Sequence, residues 1–117
     1  MTAHRSALGR AGEEAAAAWY LAQGYDVLDR NWRVARGELD LVAARPAHGL
    51  VVFCEVKTRS SDRYGSGFAA VDRRKQQRLR SLALAWLAAQ DRHWRELRFD
   101  VVDVDARGHL QVLEAAF

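Results

Sequence analysis

An apolar run that leads directly into charged residues most limits how this chain can fold. Residues 50–54 are all apolar, and they continue without a break into Glu55, Val56 and Lys57. A run rich in β-branched and aromatic residues predicts a strand with buried side chains. Charges on such a strand are costly unless they are paired or bind a metal ion. The end of this strand is therefore both part of the core and a candidate site.

The rest of the chain alternates between helical and extended patterns. Residues 12–23 are alanine-rich, carry acids at their start and are followed by Gly24, which predicts a helix. Asp72 is a suitable N-cap for a second helix that runs to about Gln90. Strands are predicted at residues 25–33, 37–44, 50–58, 97–104 and 109–113, and a loop at residues 60–67. The order is α-β-β-β-α-β-β, an α/β fold in which the first three strands form an antiparallel meander.

Length and composition favour one globular domain over residues 1–117. Half of the 117 residues are hydrophobic and 28% are charged, and a chain of this size buries roughly two thirds of its unfolded surface on folding. Cys54 is the single cysteine, so we expect a free buried thiol and no disulfide within the chain. Residues 1–10 lack the apolar segment of a signal peptide, and no apolar stretch approaches the roughly 20 residues of a membrane span. We therefore expect a cytoplasmic protein with no membrane partner.

Positive charge is concentrated in the middle of the chain. The formal net charge is +3 and the isoelectric point is about 9.5. Basic residues crowd between Lys57 and Arg80, where the acids are Asp62 and Asp72. This distribution predicts a positive surface and is compatible with a polyanionic partner such as nucleic acid.

The spacing of charges on two predicted strands brings acids and a lysine onto common faces. Residues two apart on a strand point to the same face, so Glu38 shares a face with Asp40. Leu39 and Leu41 are expected together on the opposite face. The same rule places Glu55 on one face with the lysine that follows two residues later. Whether this face coincides with that of Asp40 depends on the register of the two strands.

Two interpretations of these charges are open. Carboxylates on adjacent strands, with a lysine two residues after one of them, could hold Mg²⁺ and place a cation beside an attacking water. Alternatively, Asp40 or Glu55 forms a structural ion-pair network with Lys57, Arg36 or Arg59. Taken singly, each acid is more often structural than catalytic.

The motifs at these strands resemble a known superfamily. GELDLV at residues 37–42, followed by VFCEVKTR at residues 52–59, resembles the core motif of restriction-endonuclease-like, or PD-(D/E)xK, proteins: an Asp and, after a hairpin, an acid-x-Lys triplet. Nearly the whole chain is similar to one branch, the YraN family of small bacterial endonuclease-like proteins. Matching segments lie at residues 9–13, 24–25, 30–33, 64–65, 75–76 and 98–102. Leu39 stands where the motif's name has proline, and Cys54 where valine is common.

The resemblance implies a restriction-endonuclease-like three-layer core, with a mixed central sheet flanked by helices. It implies that Asp40, Glu55 and the Val56 carbonyl hold Mg²⁺, for which Mn²⁺ would substitute, and that Lys57 is the catalytic lysine. Glu13 corresponds to the helix-borne acid of archaeal Holliday-junction resolvases. The implied activity is endonucleolytic hydrolysis of phosphodiesters in DNA rather than RNA, including branched or structured DNA.

Two helix positions agree with this interpretation. Glu13 begins a helical stripe that includes Ala17 and Tyr20, so it should point toward the sheet. Lys75 begins the stripe of Leu79, Leu82 and Trp86, in a first turn where a cation opposes the helix dipole unless an anion lies near. A helix N-terminal acid and a solvated lysine remain the structural alternatives for these two residues.

Basic residues near the motif are candidates for binding phosphates without reading bases. These nucleic-acid-binding candidates are Arg59, Arg73, Arg74, Lys75 and Arg78. The rival to an enzyme is a nucleic-acid-binding or partner-binding module that keeps the nuclease fold without turnover. A structural domain is the third alternative, and a homodimer is compatible with each of the three.

Overall fold

Helices and strands follow one another in the predicted order. A computed structural model describes residues 7–59 and 71–117. Its elements are helix α1 at Ala7–Ala22, strands β1 at Asp26–Val34, β2 at Gly37–Arg45 and β3 at Leu50–Thr58, helix α2 at Arg73–Ala88, and strands β4 at Glu96–Val104 and β5 at Leu110–Leu113. The α-β-β-β-α-β-β order is confirmed, although α1 begins at Ala7 rather than at Gly12. The predicted loop at residues 60–67 lies outside the described residues.

The strands of the described chain form one mixed sheet in the order β1-β2-β3-β4-β5. The three-strand meander is antiparallel, as predicted. β3 and β4 are parallel because the chain between them passes through α2 and returns in the same direction. β5 pairs antiparallel with β4, which confirms the predicted final hairpin.

One helix covers each face of the sheet, because alternate residues of β3 point in opposite directions. Phe53 packs edge-on against Trp86 of α2, with ring centroids 5.6 Å apart. Its neighbour Cys54 lies in the other core cluster, with Tyr20 of α1. We name the two sides of the sheet the α1 face and the α2 face. The expected three layers and the expected buried thiol are both confirmed.

Each helix has one contact in its N-terminal half that fixes its position. Asp72 caps α2 as predicted, since its side chain accepts a hydrogen bond of 2.9 Å from the Lys75 amide. On α1, Gly12 is buried against β3, and a Cβ at this position would overlap Oγ1 of Thr58. Only glycine allows the helix to approach the strand so closely without displacing it.

The side chains of strand β2 do not alternate regularly between the two faces of the sheet. The prediction for two of its leucines was therefore wrong. Leu39 and Leu41 were expected on the same face of the sheet. Leu41 instead packs in the core of the α1 face, whereas Leu39 packs in the core of the α2 face. The change of face occurs at the residue between them, Asp40.

Strand β1 makes the same change beside it. Asp29 accepts a 2.7 Å hydrogen bond from the Trp86 indole on the α2 face, and Trp32, three residues later, also packs on that face. Residues three apart share a face only where the alternation is interrupted. The interruption is at Asn31, whose φ of 55° is left-handed. This left-handed conformation is the physical reason that the side chains of β1 change face at Asn31.

No helix in the described ranges 7–59 and 71–117 combines the length and apolar character needed to cross a membrane.

Candidate active site

A cleft of about 400 Å³ opens beside the end of β3. Its walls come from α1, β2, β3 and α2, and its lining residues are Glu13, Gly37, Glu38, Asp40, Glu55, Val56, Lys57, Lys75 and Arg78. The cleft begins where β2 and β3 separate, since their pairing ends with Leu41 and Cys54. The charged end of the apolar run therefore lies in an opening of the sheet.

Asp40 occupies the point where the two strands part. The backbone amide of Val56 donates a 2.9 Å hydrogen bond to Oδ2 of Asp40. A side-chain oxygen thus satisfies a strand amide that lies beyond the last β2–β3 pair. The carboxyl group of Asp40 is held between the strands and borders the cleft.

Burial and acidic neighbours both favour the protonated form of Asp40. Burial raises the pKa of this carboxyl to about 8, and the adjacent carboxyl groups of Glu55 and Glu13 contribute to the increase, although the Val56 amide acts in the opposite direction. Asp40 and Glu55 also share a hydrogen bond. Two carboxyl groups this close repel each other when both are ionised, so Glu55 adds to the effect of burial in disfavouring loss of the Asp40 proton.

A second set of acids meets at Asp40. Glu13, Glu38 and Asp40 each present an oxygen within 4.8 Å of the others. Arg33 holds Glu38 through two hydrogen bonds of 3.0 and 2.6 Å, and Asn31 donates a 3.2 Å hydrogen bond to Glu13. Carboxylate oxygens converging at this spacing fit a hard divalent cation such as Mg²⁺.

Two lysines approach the acids from the other side. Nζ of Lys57 lies 4.0 Å from Oε2 of Glu55, and Nζ of Lys75, from the first turn of α2, lies 3.6 Å from the same oxygen. Burial lowers the pKa of Lys57, and the nearby Lys75 ammonium lowers it further. The cleft therefore has an acidic wall and a basic wall that meet at Glu55.

Comparison with known proteins gives a consistent family. A family model described as "Uncharacterised protein family UPF0102" matches residues 12–104. The chain belongs to UPF0102. A UPF0102 protein of Mycolicibacterium smegmatis is 52% identical over 100 residues, which cover 86% of this chain and 81% of that protein. Similar proteins from Mycobacterium ulcerans (48% over 103 residues, 88% and 84% covered) and Rhodococcus opacus (47% over 102 residues, 87% and 85% covered) carry the same name.

Membership of UPF0102 confirms the expected YraN family. The names of these relatives state no reaction and no substrate. Any activity of this UPF0102 chain must therefore be argued from the cleft itself.

The structure brings most of the predicted site residues of this UPF0102 chain into the cleft. The predicted catalytic residues Glu13, Asp40, Glu55 and Lys57 all line it, as does the predicted metal-binding residue Val56. Of the predicted phosphate-binding residues, Lys75 and Arg78 line it. Arg73 and Arg74 are exposed in the first turn of α2. Their roles stay predictions.

Arg59 differs from the other phosphate-binding candidates. Its guanidinium makes two 3.0 Å hydrogen bonds with the carboxylate of Asp103 on β4, and the side chain of Asp103 is 2% exposed. A guanidinium that makes two hydrogen bonds with one buried carboxylate stabilises the fold by neutralising that carboxylate. The proposed contact of Arg59 with phosphates stays a prediction.

Sequence reasoning did not assign Glu38 or Asn31 to the site. The signal for Glu38 was present, because its spacing from Asp40 placed both acids on one face. Asn31 gave a weaker signal: asparagine is one of the few residues that tolerate a left-handed backbone, yet it stands inside a strand pattern. Its contact with Glu13 joins β1 to α1, and the spacing of the two residues in the sequence does not predict this contact.

The raised pKa of Asp40 predicts how the metal-free protein responds to pH. In the unfolded chain an aspartate titrates at about 3.9, whereas in the fold this carboxyl titrates at about 8. The folded state binds the extra proton between these values, so its stability should fall as pH rises from about 4 to about 8. Asp40→Asn should remove this loss and be more stable than the wild type at pH 8 by at least about 1 kcal/mol. Urea unfolding of both proteins in EDTA at pH 5 and pH 8 measures the difference, and an equal difference at the two pH values would contradict the prediction.

Proposed function

We propose that this chain is a Mg²⁺-dependent endonuclease that hydrolyses phosphodiester bonds in DNA, including branched or structured DNA. The observation that carries the proposal is the meeting of Glu13, Asp40, Glu55 and Lys57 in one cleft. They come from three separate elements, α1, β2 and β3. An acidic site beside a lysine, bordered by further cations, suits a dication together with a phosphate.

The electrostatics support a cation site over a purely structural ion-pair network. A carboxylate neutralised mainly by lysine or arginine has a lowered pKa. The pKa of Asp40 is instead raised to about 8 by burial and by Glu55. The lysines lie beside Glu55, whereas the charged side chains that raise the pKa of Asp40 are the acids Glu55 and Glu13. A metal ion at Asp40 would offset this repulsion.

The proposed mechanism assigns a distinct task to each side chain. When bound by Asp40, Glu55 and the Val56 carbonyl, Mg²⁺ would polarise the scissile phosphate and neutralise its charge. Glu13 and Glu38 lie close enough to Asp40 to complete the acidic wall. Lys57, held near Glu55, donates a hydrogen bond to the attacking water and stabilises the charge that develops on the phosphorane. The lowered pKa of Lys57 brings its proton affinity closer to that useful in proton transfer near neutral pH.

The basic wall extends from the cleft along α2. Lys75 and Arg78 line the cleft, and Arg73 and Arg74 stand exposed at the start of the same helix. These side chains would hold phosphates on either side of the scissile bond. Contacts of this kind carry no base information, so we expect selection by the shape of the nucleic acid with weak sequence preference.

A cleavage assay tests the proposed activity. Purified protein is incubated with branched, single-stranded and duplex DNA, and with matching RNA, in Mg²⁺, in Mn²⁺ and in EDTA. We expect metal-dependent cleavage of DNA by the wild type and none by Asp40→Asn. Binding to branched DNA without cleavage in either metal would reject the enzyme and favour a non-catalytic binding module.

Replacing the arginines of α2 should weaken binding of all nucleic acids alike. We expect Arg73→Ala, Arg74→Ala and Arg78→Ala together to reduce affinity and to flatten its dependence on salt, by roughly 0.7 to 0.9 in log-log slope for each phosphate that the variant no longer neutralises. Fluorescence anisotropy in EDTA at several salt concentrations measures both quantities without cleavage. The exposed arginines 95 and 107, away from the cleft lining, provide the control. An equal loss per charge in Arg95→Ala/Arg107→Ala would show that only net charge matters.

A further inference from the structure

Asn31 has an unusual backbone for a residue inside a strand. Its φ is 55°, in the left-handed region, although it stands in the middle of β1. Non-glycine residues adopt this region at a cost and do so most readily as asparagine or aspartate. Residues inside a strand normally have an extended backbone. The left-handed conformation of Asn31 must therefore be held in place by the surrounding structure.

The position of Asn31 connects it with the acidic wall. In the β1–β2 register the pairs on either side are Arg30 with Leu41 and Trp32 with Leu39. Asn31 therefore lies across from Asp40, at the rung where both strands change face. The regular alternation of side chains is thus interrupted in both strands at the position where Asp40 borders the cleft.

The side chain of Asn31 reaches the other acid of this wall. Its Nδ2 donates a 3.2 Å hydrogen bond to Oε1 of Glu13, which is partly buried on α1. Beside it, Arg30 and Glu14 form a 2.6 Å ion pair that also joins β1 to α1. The ion pair is exposed, so the amide of Asn31 is the more sheltered of these two links between strand and helix.

We propose that Asn31 is a positioning residue for the cation site. Its left-handed backbone turns the amide toward α1, and the amide holds one oxygen of Glu13 so that the other oxygen is directed to the acids around Asp40. This inference rests on the proposed function and deepens it, since it assigns a residue that sets the geometry of the metal ligands. Residues that orient ligands in this way typically change metal affinity by roughly 10- to 100-fold when replaced.

The variant Asn31→Gly distinguishes the role of the side-chain amide from that of the left-handed backbone. Glycine adopts a φ of 55° without cost, so the strand keeps its course and only the hydrogen bond to Glu13 is removed. Ala115→Gly is the matched control, because Ala115 has a φ of 52° and is exposed outside the cleft lining. A purely conformational role for Asn31 predicts that Asn31→Gly behaves like this control.

Mn²⁺ binding, measured by electron paramagnetic resonance without nucleic acid, is the direct test. We expect Asn31→Gly to bind Mn²⁺ about tenfold more weakly than the wild type, and Ala115→Gly to bind like the wild type. In a Glu13→Ala background, which has no side-chain acceptor for the Asn31 amide, the further change Asn31→Gly should have almost no effect, because the two residues act through one interaction. Equal Mn²⁺ affinity in Asn31→Gly and the wild type, or additive losses in the double variant, would overturn the inference.

The outcomes distinguish this inference from the proposed function. Wild-type protein that binds Mn²⁺, together with Asp40→Asn that does not, upholds the cation site whatever Asn31→Gly shows. Wild-type protein that binds no Mn²⁺ would overturn both. If Asn31→Gly does not fold, the side-chain amide resonances of Asn31 in folded Glu13→Ala decide: they must shift from their wild-type positions, and unchanged resonances would reject the contact.

Discussion

Lys57→Ala should reduce DNA cleavage by at least about a hundredfold while Mn²⁺ binding stays within a few fold of the wild type. The reason is that, in the proposed mechanism, Lys57 acts on the charge that develops during the reaction, a contribution of roughly 100- to 1,000-fold in comparable sites. It is not a metal ligand, and its Nζ lies 4.0 Å from Glu55. Single-turnover cleavage with saturating protein separates this loss from any change in DNA affinity.

Two matched variants make this result specific. Lys75→Ala removes an ammonium 3.6 Å from the same Glu55 oxygen, and it should weaken DNA binding more than the single-turnover rate. Asp40→Asn should lose Mn²⁺ affinity and cleavage together, because it removes the negative charge of the carboxylate that lies near both Glu55 and Glu13. DNA binding without metal should be kept or improved in Asp40→Asn, since an anionic site is partly neutralised. Cleavage by Lys57→Ala at the wild-type rate would remove Lys57 from the mechanism.

Asp100→Ala should cost the fold about 3–5 kcal/mol in free energy of unfolding, the range typical of breaking a buried charge pair. Asp100 is fully buried on β4. It accepts a 2.6 Å hydrogen bond from the Tyr20 hydroxyl of α1 and two of 2.9 Å from Arg98. The amide of Ala115 donates a fourth, at 3.1 Å. Removing the carboxylate leaves a guanidinium and a hydroxyl without their buried acceptor.

Urea unfolding at pH 7 measures this loss, with two variants for comparison. Tyr20→Phe deletes a single hydrogen bond to Asp100 and should cost only about 1–3 kcal/mol. Asp91→Ala removes an exposed aspartate and should change stability by less than about 0.5 kcal/mol. A cost for Asp100→Ala no larger than that for Tyr20→Phe would mean that Arg98 finds another partner.

The elements of this fold could be predicted because their side-chain patterns are local. Apolar residues 50–54 identify the central strand, and Asp72 identifies the start of α2, where it caps the helix as expected. The change of face at Asp40 could not be predicted from these patterns. It lies across from a single left-handed residue of the neighbouring strand, Asn31, which the two-residue periodicity of a strand does not anticipate.

The candidate site was predictable in part for the same reason. The positions of Glu55 and Lys57 follow from their spacing on one strand. Their nearness to Asp40 depends on where β2 and β3 separate, a property of register and not of either segment. The ion pair of Arg59 with Asp103 could not be predicted, because the two residues lie 44 positions apart in the chain. Only the parallel pairing of β3 with β4 brings those two residues together.

The close approach of Gly12 to Thr58 should make the two walls of the cleft respond differently to a substrate. Helix α1 rests on β3 with no room for even a methyl group, so Glu13 cannot shift without moving the strand that carries Glu55. The opposite wall is formed by the ammonium groups of Lys57 and Lys75, which stand on long flexible stems. If the chain is the nuclease proposed above, the acids would keep their spacing while the lysines adjust to DNA backbones of different curvature.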